Sequence, residues 1–146
     1  PAEHVTTIDH SMELPTKKFN PEREFSGQKF VHNKADEATW SDFRIPGFTC
    51  RDTTIAKNTK NVAGVQVVKP TGKAIQSTKH NCDILFNFVM EGKMTLQAKG
   101  QPPHELTSGD AFVIPPGLSS KYSEVSADLE LLEVSLPGKF DTYYDT

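Results

Sequence analysis

Two glycine-anchored stretches decide the fold of this chain: GKAIQSTKHNCDILFNFVMEG at residues 72–92 and GDAFVIPPGLSSKYSE at residues 109–124. Gly92 stands between an apolar run and the segment KMTL, which suits a tight hairpin with one residue at positive φ. The Pro-Pro-Gly sequence at 115–117 cannot continue a β-ladder, because consecutive prolines donate no backbone hydrogen bonds. Both stretches therefore predict short strands separated by tight turns.

Outside these stretches, the rest of the chain also alternates short apolar segments with turn residues. One short helical turn is expected near residues 35–40, and GQPPHELTSGD at 100–110 is expected to connect two strands. No long amphipathic helix is apparent, so the sequence predicts an all-β sandwich or barrel. The predicted strands are FTCRDTTIA, VAGVQVVKP, ILFNFVM, KMTLQAK, AFVIP, SKYSEV and LELLEVSL.

The spacing within the two stretches resembles the two signature motifs of the cupin superfamily. In cupins these motifs carry a His-x-His pair, a Glu or Gln, and a later His. In this chain the corresponding positions hold Thr78, His80, Leu85 and Ser120. The framework of glycines and prolines matches, whereas only one of the four ligand positions is still a histidine.

The resemblance covers about residues 43 to 141, including DLELLEVSLPGKFDT, which looks like the last strand of single-domain cupins of natural-product pathways. It implies a double-stranded β-helix (jelly-roll) barrel. We expect a polar N-terminal arm at residues 1–24, followed by one barrel domain at residues 25–146. N-terminal arms of cupins often add a strand to a neighbouring subunit, so the resemblance also implies a homodimer.

Length, charge and cysteine content limit the function classes. A chain of 146 residues fits one domain, and a net charge of −3 offers no basic surface for nucleic acid. No apolar run reaches the roughly 20 residues of a membrane helix, and the first residues lack the apolar block of a signal peptide. We therefore expect no membrane partner and a cytoplasmic location, with Cys50 and Cys82 as reduced, half-buried thiols.

The side chains that line the barrel follow from strand alternation, with the ligand positions taken as inward. The last strand leaves two sets open: Leu129, Leu131 and Glu133, or Glu130, Leu132 and Val134. Cys82 is expected to be out of phase with Leu85, and Phe86, Phe88 and Met90 to face away. The predicted lining residues are Thr78, His80, Leu85, Asn87, Val89, Phe112, Ile114, Ser120, Tyr122 and Gln66.

The ligand positions do not predict a metal site. A catalytic transition metal needs about three or four nitrogen or oxygen ligands in one shell. His80 alone cannot provide them, and Thr78, Leu85 and Ser120 add two weak neutral oxygens and an alkyl group. His104 is expected in a proline-rich loop, away from the site. We therefore predict neither metal nor other cofactor.

A barrel interior with few polar groups is typical of a small-molecule site. His80 is the candidate general acid or base, and Ser120 the second catalytic candidate beside it. This set suits isomerisation, dehydration, cyclisation or decarboxylation of a small oxygenated, rather apolar metabolite, and the resemblance implies a polyketide-like one. The alternatives are a non-catalytic binding cupin, in which His80 is only structural, and an oxygenase with unorthodox metal ligands.

Overall fold

The computed structural model describes residues 20–144 and is almost entirely β-structure, which confirms the predicted fold class. Two antiparallel sheets face each other, and a separate two-stranded hairpin precedes them. The hairpin consists of β1 (Glu24–Phe25) and β2 (Gln28–Lys29). Within residues 20–144 no helix has the length and apolar character needed to cross a bilayer. The predicted arm at residues 1–24 lies mostly outside the described residues.

The larger sheet has six strands in the order β10-β7-β12-β5-β4-β3. Its strands are β3 (Ser41–Asp42), β4 (Phe48–Asp52), β5 (Gly64–Pro70), β7 (Ile84–Glu91), β10 (Ala111–Val113) and β12 (Glu130–Leu136). The smaller sheet has five strands in the order β13-β6-β11-β8-β9. Its strands are β6 (Thr78–His80), β8 (Lys93–Ala98), β9 (His104–Thr107), β11 (Ser120–Ser123) and β13 (Thr142–Tyr144).

The hydrophobic core fills the space between the two sheets. Residues at alternate positions of each strand face this space, as the two-residue period of a strand requires. Phe86, Phe88 and Met90 lie half-buried on the opposite face of β7, as the sequence predicts. The core residues include Phe48, Val68, Leu85, Val89 and Leu131 from the larger sheet and Met94, Leu96 and Tyr122 from the smaller one.

The predicted strand FTCRDTTIA is only partly formed. The strand β4 ends at Asp52, and a single α-helical turn, α1 (Ile55–Asn58), follows. Thr54 takes a φ of 65°, and its N–H donates to the Asp52 side chain at 3.0 Å. A residue in the left-handed region cannot continue a strand, so the alternation at 53–56 does not produce one.

The expected connection at 100–110 contains a strand that the sequence does not predict. Residues 104–107 form β9 and pair with β8, Thr107 opposite Lys93 and His104 opposite Leu96. His104 is therefore at the start of an edge strand rather than in a loop. The prolines at 102 and 103 precede β9, so they do not interrupt its ladder. The expected helical turn near 35–40 is confirmed as a 3₁₀ turn, Ala35–Glu37.

Candidate active site in the barrel interior

The two stretches that decide the fold are hydrogen-bonded to each other at one end of the barrel. The Gly117 N–H donates to the His80 carbonyl at 2.9 Å, and the Ile114 N–H donates to the Leu85 carbonyl at 3.2 Å. Both bonds connect the strand-and-turn segment 111–117 to the strands that carry the ligand positions. The Pro-Pro-Gly turn thus fixes where the motif residues meet.

Most of the predicted lining residues face the interior. Ser120 pairs with Thr78 across β11 and β6, and both side chains are buried. Phe112 and Gln66 are half-buried, so they form the margin of the site rather than its centre. The buried members are Thr78, His80, Leu85, Asn87, Val89, Ile114, Ser120 and Tyr122.

Leu131 and Glu133 of β12, with Leu129 just before it, face the interior, which decides between the two sets left open by the sequence. Leu131 is 0% exposed and Glu133 only 3% exposed. Glu133 lies directly between Asn87 on β7 and Gln66 on β5 in the sheet register. Three polar side chains therefore cross the inner face of the larger sheet in one row.

His80 is held by the backbone at both ring nitrogens. Its Nδ1 lies 3.2 Å from the Cys82 N–H, which can only donate, so Nδ1 accepts and carries no proton. The proton is then on Nε2, which donates to the Ile114 carbonyl at 2.7 Å. Burial lowers the pKa of His80, which outweighs the opposing effect of the Ile114 hydrogen bond. His80 is therefore a neutral, fixed imidazole near neutral pH.

Cys82 faces the site, contrary to the expectation that it lies out of phase. Its Sγ is 3.1 Å from His80 Nδ1 and 3.4 Å from the Ile84 carbonyl. The expectation carried one alternation through residues 80–85, but β6 ends at His80 and β7 begins at Ile84. The intervening corner breaks the phase. Burial raises the pKa of the Cys82 thiol, so it stays protonated.

The half-buried Arg44 and the buried Glu133 form an ion pair in the site. Arg44 Nη2 donates to Glu133 Oε1 at 2.6 Å, and Arg44 Nε donates to Glu133 Oε2 at 3.3 Å. This side-by-side geometry is the strongest form of a guanidinium–carboxylate pair. Burial by itself would lower the pKa of Arg44, but the Glu133 charge and its hydrogen bonds raise it above its usual value. The guanidinium therefore stays charged inside the barrel.

Aromatic rings and a hydroxyl hold the rest of the guanidinium. Its carbon lies 5.0 Å from the ring centroids of both Phe43 and Phe140, within the range of cation–π attraction. Arg44 Nη1 donates to Thr142 Oγ1 at 3.2 Å. Together with the two hydrogen bonds to Glu133, this bond uses three of the five guanidinium N–H groups.

Tyr122 and Asn87 have polar atoms without partners among the described residues. Both Asn87 amide atoms and the Tyr122 hydroxyl are buried and form no hydrogen bond. Burial raises the pKa of Tyr122 well above its usual value of 10.0; Glu133 raises it further, and Arg44 opposes this. The neutral hydroxyl is therefore a hydrogen-bond donor close to the ion pair but outside bonding geometry with it.

The donors of the interior do not fit a catalytic transition metal. Within residues 20–144, no three His, Cys, Asp or Glu side chains come together in a way that could hold an ion. The carboxylate of Glu133 is bound to Arg44, and His80 has both nitrogens in backbone contacts. The residues around His80 therefore suit an organic ligand better than a metal.

Arg44 is not among the site residues predicted from the sequence. It lies between Phe43 and Ile45, both buried, in the segment DFRIPGF before β4. A single cation flanked by apolar residues was the available signal, because long charged side chains are rarely buried without a partner. Nothing in the spacing shows that the partner is Glu133, 89 residues further on.

Comparison with known proteins supports the family resemblance. A family model described as the EutQ-like cupin domain matches residues 62–130. No curated protein matches the sequence.

Among solved structures, Pac13 of Streptomyces, described as a unique nucleoside dehydratase, is 13% identical, with a TM-score of 0.63 over 80% of this chain and 92% of Pac13. The polyketide cyclase RemF from Streptomyces resistomycificus is 17% identical, with a TM-score of 0.61 over 82% of this chain and 86% of RemF. KdgF from a Halomonas species is 22% identical, with a TM-score of 0.60 over 76% of this chain and 96% of KdgF.

At these identities the structural likeness shows the fold, and the family model adds a match in sequence across both motif regions. The strand order, the paired motif turns and the altered ligand positions lead to the same assignment. The chain has a cupin fold with altered residues at the metal-ligand positions, and it resembles the small cupins of natural-product pathways.

Proposed function

We propose that this cupin is an enzyme of the lyase or isomerase type that acts on a small oxygenated, rather apolar metabolite by proton transfer. Similar folds include a nucleoside dehydratase, a polyketide cyclase and a lyase of DMSP. A polyketide-like substrate undergoing isomerisation, dehydration, cyclisation or decarboxylation fits the polar groups and apolar walls of the interior.

One observation carries the proposal: buried polar atoms without partners lie near the ion pair of Arg44 and Glu133. Native proteins rarely leave such atoms unpaired, and those that remain often serve a ligand or a reaction. The Tyr122 hydroxyl and the Asn87 amide are unpaired. Asn87 is the register neighbour of Glu133. A bound carbonyl or hydroxyl compound would satisfy these atoms.

Glu133 and Tyr122 suit opposite halves of a proton transfer. Each carboxylate oxygen of Glu133 has a second lone pair beyond the one used by Arg44, so it could accept a proton from the carbon next to a carbonyl. The neutral Tyr122 hydroxyl could donate a hydrogen bond to the carbonyl oxygen as negative charge develops there. Arg44 would stabilise that charge in a site shielded from water.

His80 has a different role in this proposal from the one expected from sequence. Using it as a general acid or base would break its contact with Cys82 or with Ile114. We therefore assign His80 to holding the 80–82 corner against the Pro-Pro-Gly turn. Glu133 takes the place of the proposed base, and Ser120 is part of the buried wall beside Thr78.

The test is deuterium exchange, which does not require the natural product to be known. The protein is incubated in D₂O with a panel of β-hydroxy ketones and aromatic β-diketones, and loss of the α-proton signal is followed by NMR. We expect catalysed exchange that falls by roughly 10²-fold in Tyr122→Phe, the scale of one lost oxyanion donor. Glu133→Gln should abolish it.

The matched control for Glu133→Gln is Glu130→Gln, on the same strand but half-buried on the outer face. It should keep the parent rate. Equal exchange in Glu133→Gln and the parent protein would refute the assigned base.

A non-catalytic binding cupin is the second candidate, because Arg44 and Glu133 already neutralise each other. It predicts that a compound of the panel raises the unfolding temperature without any exchange of its α-protons. Exchange that depends on Glu133 would exclude it.

A further inference from the structure

The proposed site is enclosed, so a ligand has to displace part of the protein to enter. His80, Asn87, Tyr122 and Glu133 are each at most 3% exposed. At the His80 end, the segment 140–144, which we name the C-terminal flap, covers His80 and Arg44. The Phe140 ring lies against His80, with 6.0 Å between the ring centroids, and also against Arg44.

A short set of polar contacts fastens the flap to the corner between β6 and β7. The Asp141 N–H donates to Asn81 Oδ1 at 2.8 Å, and Asn81 Nδ2 donates to Asp141 Oδ2 at 3.1 Å. Asn81 Nδ2 also lies 3.4 Å from the Tyr143 hydroxyl. Asn81 itself is exposed, so one surface side chain connects the corner to two residues of the flap.

The flap extends from a base at residues 138–139 and lies at the edge of the smaller sheet. At the base, Gly138 N–H and Lys139 N–H donate to Asn61 O and Oδ1 at 3.1 and 2.6 Å. At the tip, the three residues of β13 pair with β6 at the edge of the sheet, and Thr142 and the Tyr144 hydroxyl contact Arg44. Tyr143 and Tyr144 are about half exposed, so little apolar burial retains the tip. Such edge segments open most readily in native proteins.

A cleft of about 440 Å³ lies directly outside Phe140. It separates the corner that carries Cys82 from the base of the flap, so it adjoins both parts of the closure. Its lining residues are Asn81, Asp83, Pro137, Lys139, Phe140 and Asp141.

We infer that ligands reach the barrel interior through this cleft when the C-terminal flap swings outward, with Phe140 as the gate and the Asn81–Asp141 contacts as its latch. Opening would also release Arg44 from Phe140 and Thr142, so entry is coupled to the orientation of the guanidinium. The inference rests on the proposed function for what enters. The opening itself can be measured without any ligand.

The reactivity of the Cys82 thiol can report opening of the gate. It is 1% exposed and lies in the corner bounded by Asn81, which bonds Asp141, and by Asp83, whose N–H donates to the Leu136 carbonyl at 2.8 Å. The other cysteine, Cys50, is also buried but lies on β4 of the larger sheet. Single-cysteine proteins made with Cys50→Ser or Cys82→Ser therefore report on the two places separately.

The experiment measures the rate at which a small disulfide reagent modifies each single-cysteine protein under native conditions. In the Cys50→Ser background, Asn81→Ala removes the side-chain latch and should raise the Cys82 rate roughly tenfold, as expected for losing a few exposed hydrogen bonds. In the Cys82→Ser background, the same change should leave the Cys50 rate unchanged. Asn33→Ala, which removes a side-chain contact to Arg51, is the matched control and should alter neither rate.

Two outcomes would overturn the inference. If Asn81→Ala leaves the Cys82 rate unchanged, the contacts at Asn81 are not a latch. If it raises both cysteine rates equally, the whole protein has been loosened and no gate is involved. A selective rise in the Cys82 rate with no deuterium exchange on any compound would support the gate and count against the proposed reaction.

Discussion

Arg44 connects three parts of the chain that are distant in sequence. Its side chain reaches from the segment before β4 to Glu133 on β12 and to Thr142 on β13. Its carbonyl oxygen accepts a hydrogen bond from the Tyr144 hydroxyl at 3.3 Å. One residue therefore joins the larger sheet, the smaller sheet and the proposed site.

Replacing Arg44 with methionine should destabilise the protein by about 3–5 kcal/mol, because it leaves the buried Glu133 carboxylate without a counter-charge. Methionine keeps much of the apolar stem, so the loss is mainly electrostatic. Urea unfolding at neutral pH measures the change.

The matched variant combines Arg44→Met with Glu133→Leu. Replacing both members of a buried pair with apolar residues is often nearly neutral, so most of the lost stability should return. A loss below about 1 kcal/mol in Arg44→Met would show that water reaches the pair.

For single residues, the sequence could predict which side chains face the interior but not which residues they contact. Alternation along β7 and β11 put Asn87 and Tyr122 inside, where the structure has them. The pairing of Arg44 with Glu133 depends on how two segments that are 89 residues apart meet in space. Local spacing contains no information about such a contact.

The turn between β7 and β8 shows why a motif glycine is required. Gly92 has a φ of +79°, and a Cβ there would lie 2.7 Å from the backbone of Leu129 and 2.6 Å from Ser126 Oγ. Gly117 has a similar φ of +83°, but a Cβ there would have nothing within 4 Å. A substitution at Gly117 would therefore add only backbone strain, whereas one at Gly92 would add both backbone strain and a clash.

Gly117→Ala should therefore cost about 1–2 kcal/mol, the strain of a left-handed residue. Gly92→Ala should cost clearly more, because a backbone neighbour cannot move away as easily as a side chain. Thermal unfolding of the two variants beside the parent gives the comparison. Equal losses would mean that the Gly92 turn can relax and that the clash is not decisive.

Element length explains which strands the sequence predicts. The strands β5, β7, β8 and β12 have six to eight residues, enough for alternation to be recognised. The strands β1, β2, β3 and β13 have two or three residues and form only where a neighbour supplies an edge. Sequence patterns therefore could not predict the strand in the C-terminal flap.

For the whole molecule, the buried His80 and Tyr122 predict how stability depends on pH. The pKa of His80 is lower in the folded protein than its usual 6.5, so protonation favours the unfolded state. The stabilisation is complete above pH 6.5 and is lost as the pH falls below it. His80→Gln should make the free energy of unfolding, measured with urea, less dependent on pH between pH 5 and about 7. Replacement of the exposed His104 by Gln is the control.

On the alkaline side, the stability of the protein depends on pH in the opposite direction. Burial raises the pKa of Tyr122 above its usual 10.0, so the unfolded state releases the phenolic proton first. Stability from this group is complete below pH 10 and falls as the pH rises beyond it. Unfolding measured up to about pH 11 should therefore show a steeper loss in the parent protein than in Tyr122→Phe. Parallel losses would mean that the phenol is not buried.

The position of Arg44 also limits how this barrel could be re-engineered. Grafting Thr78→His, Leu85→Glu and Ser120→His would recreate a ligand set on the existing framework. An added divalent cation would then share the interior with a fixed guanidinium, and like charges repel strongly where water is excluded. The graft should acquire metal affinity only when Arg44 is also made neutral. Three substitutions at the motif positions alone would therefore not be enough to create a metal site in this barrel.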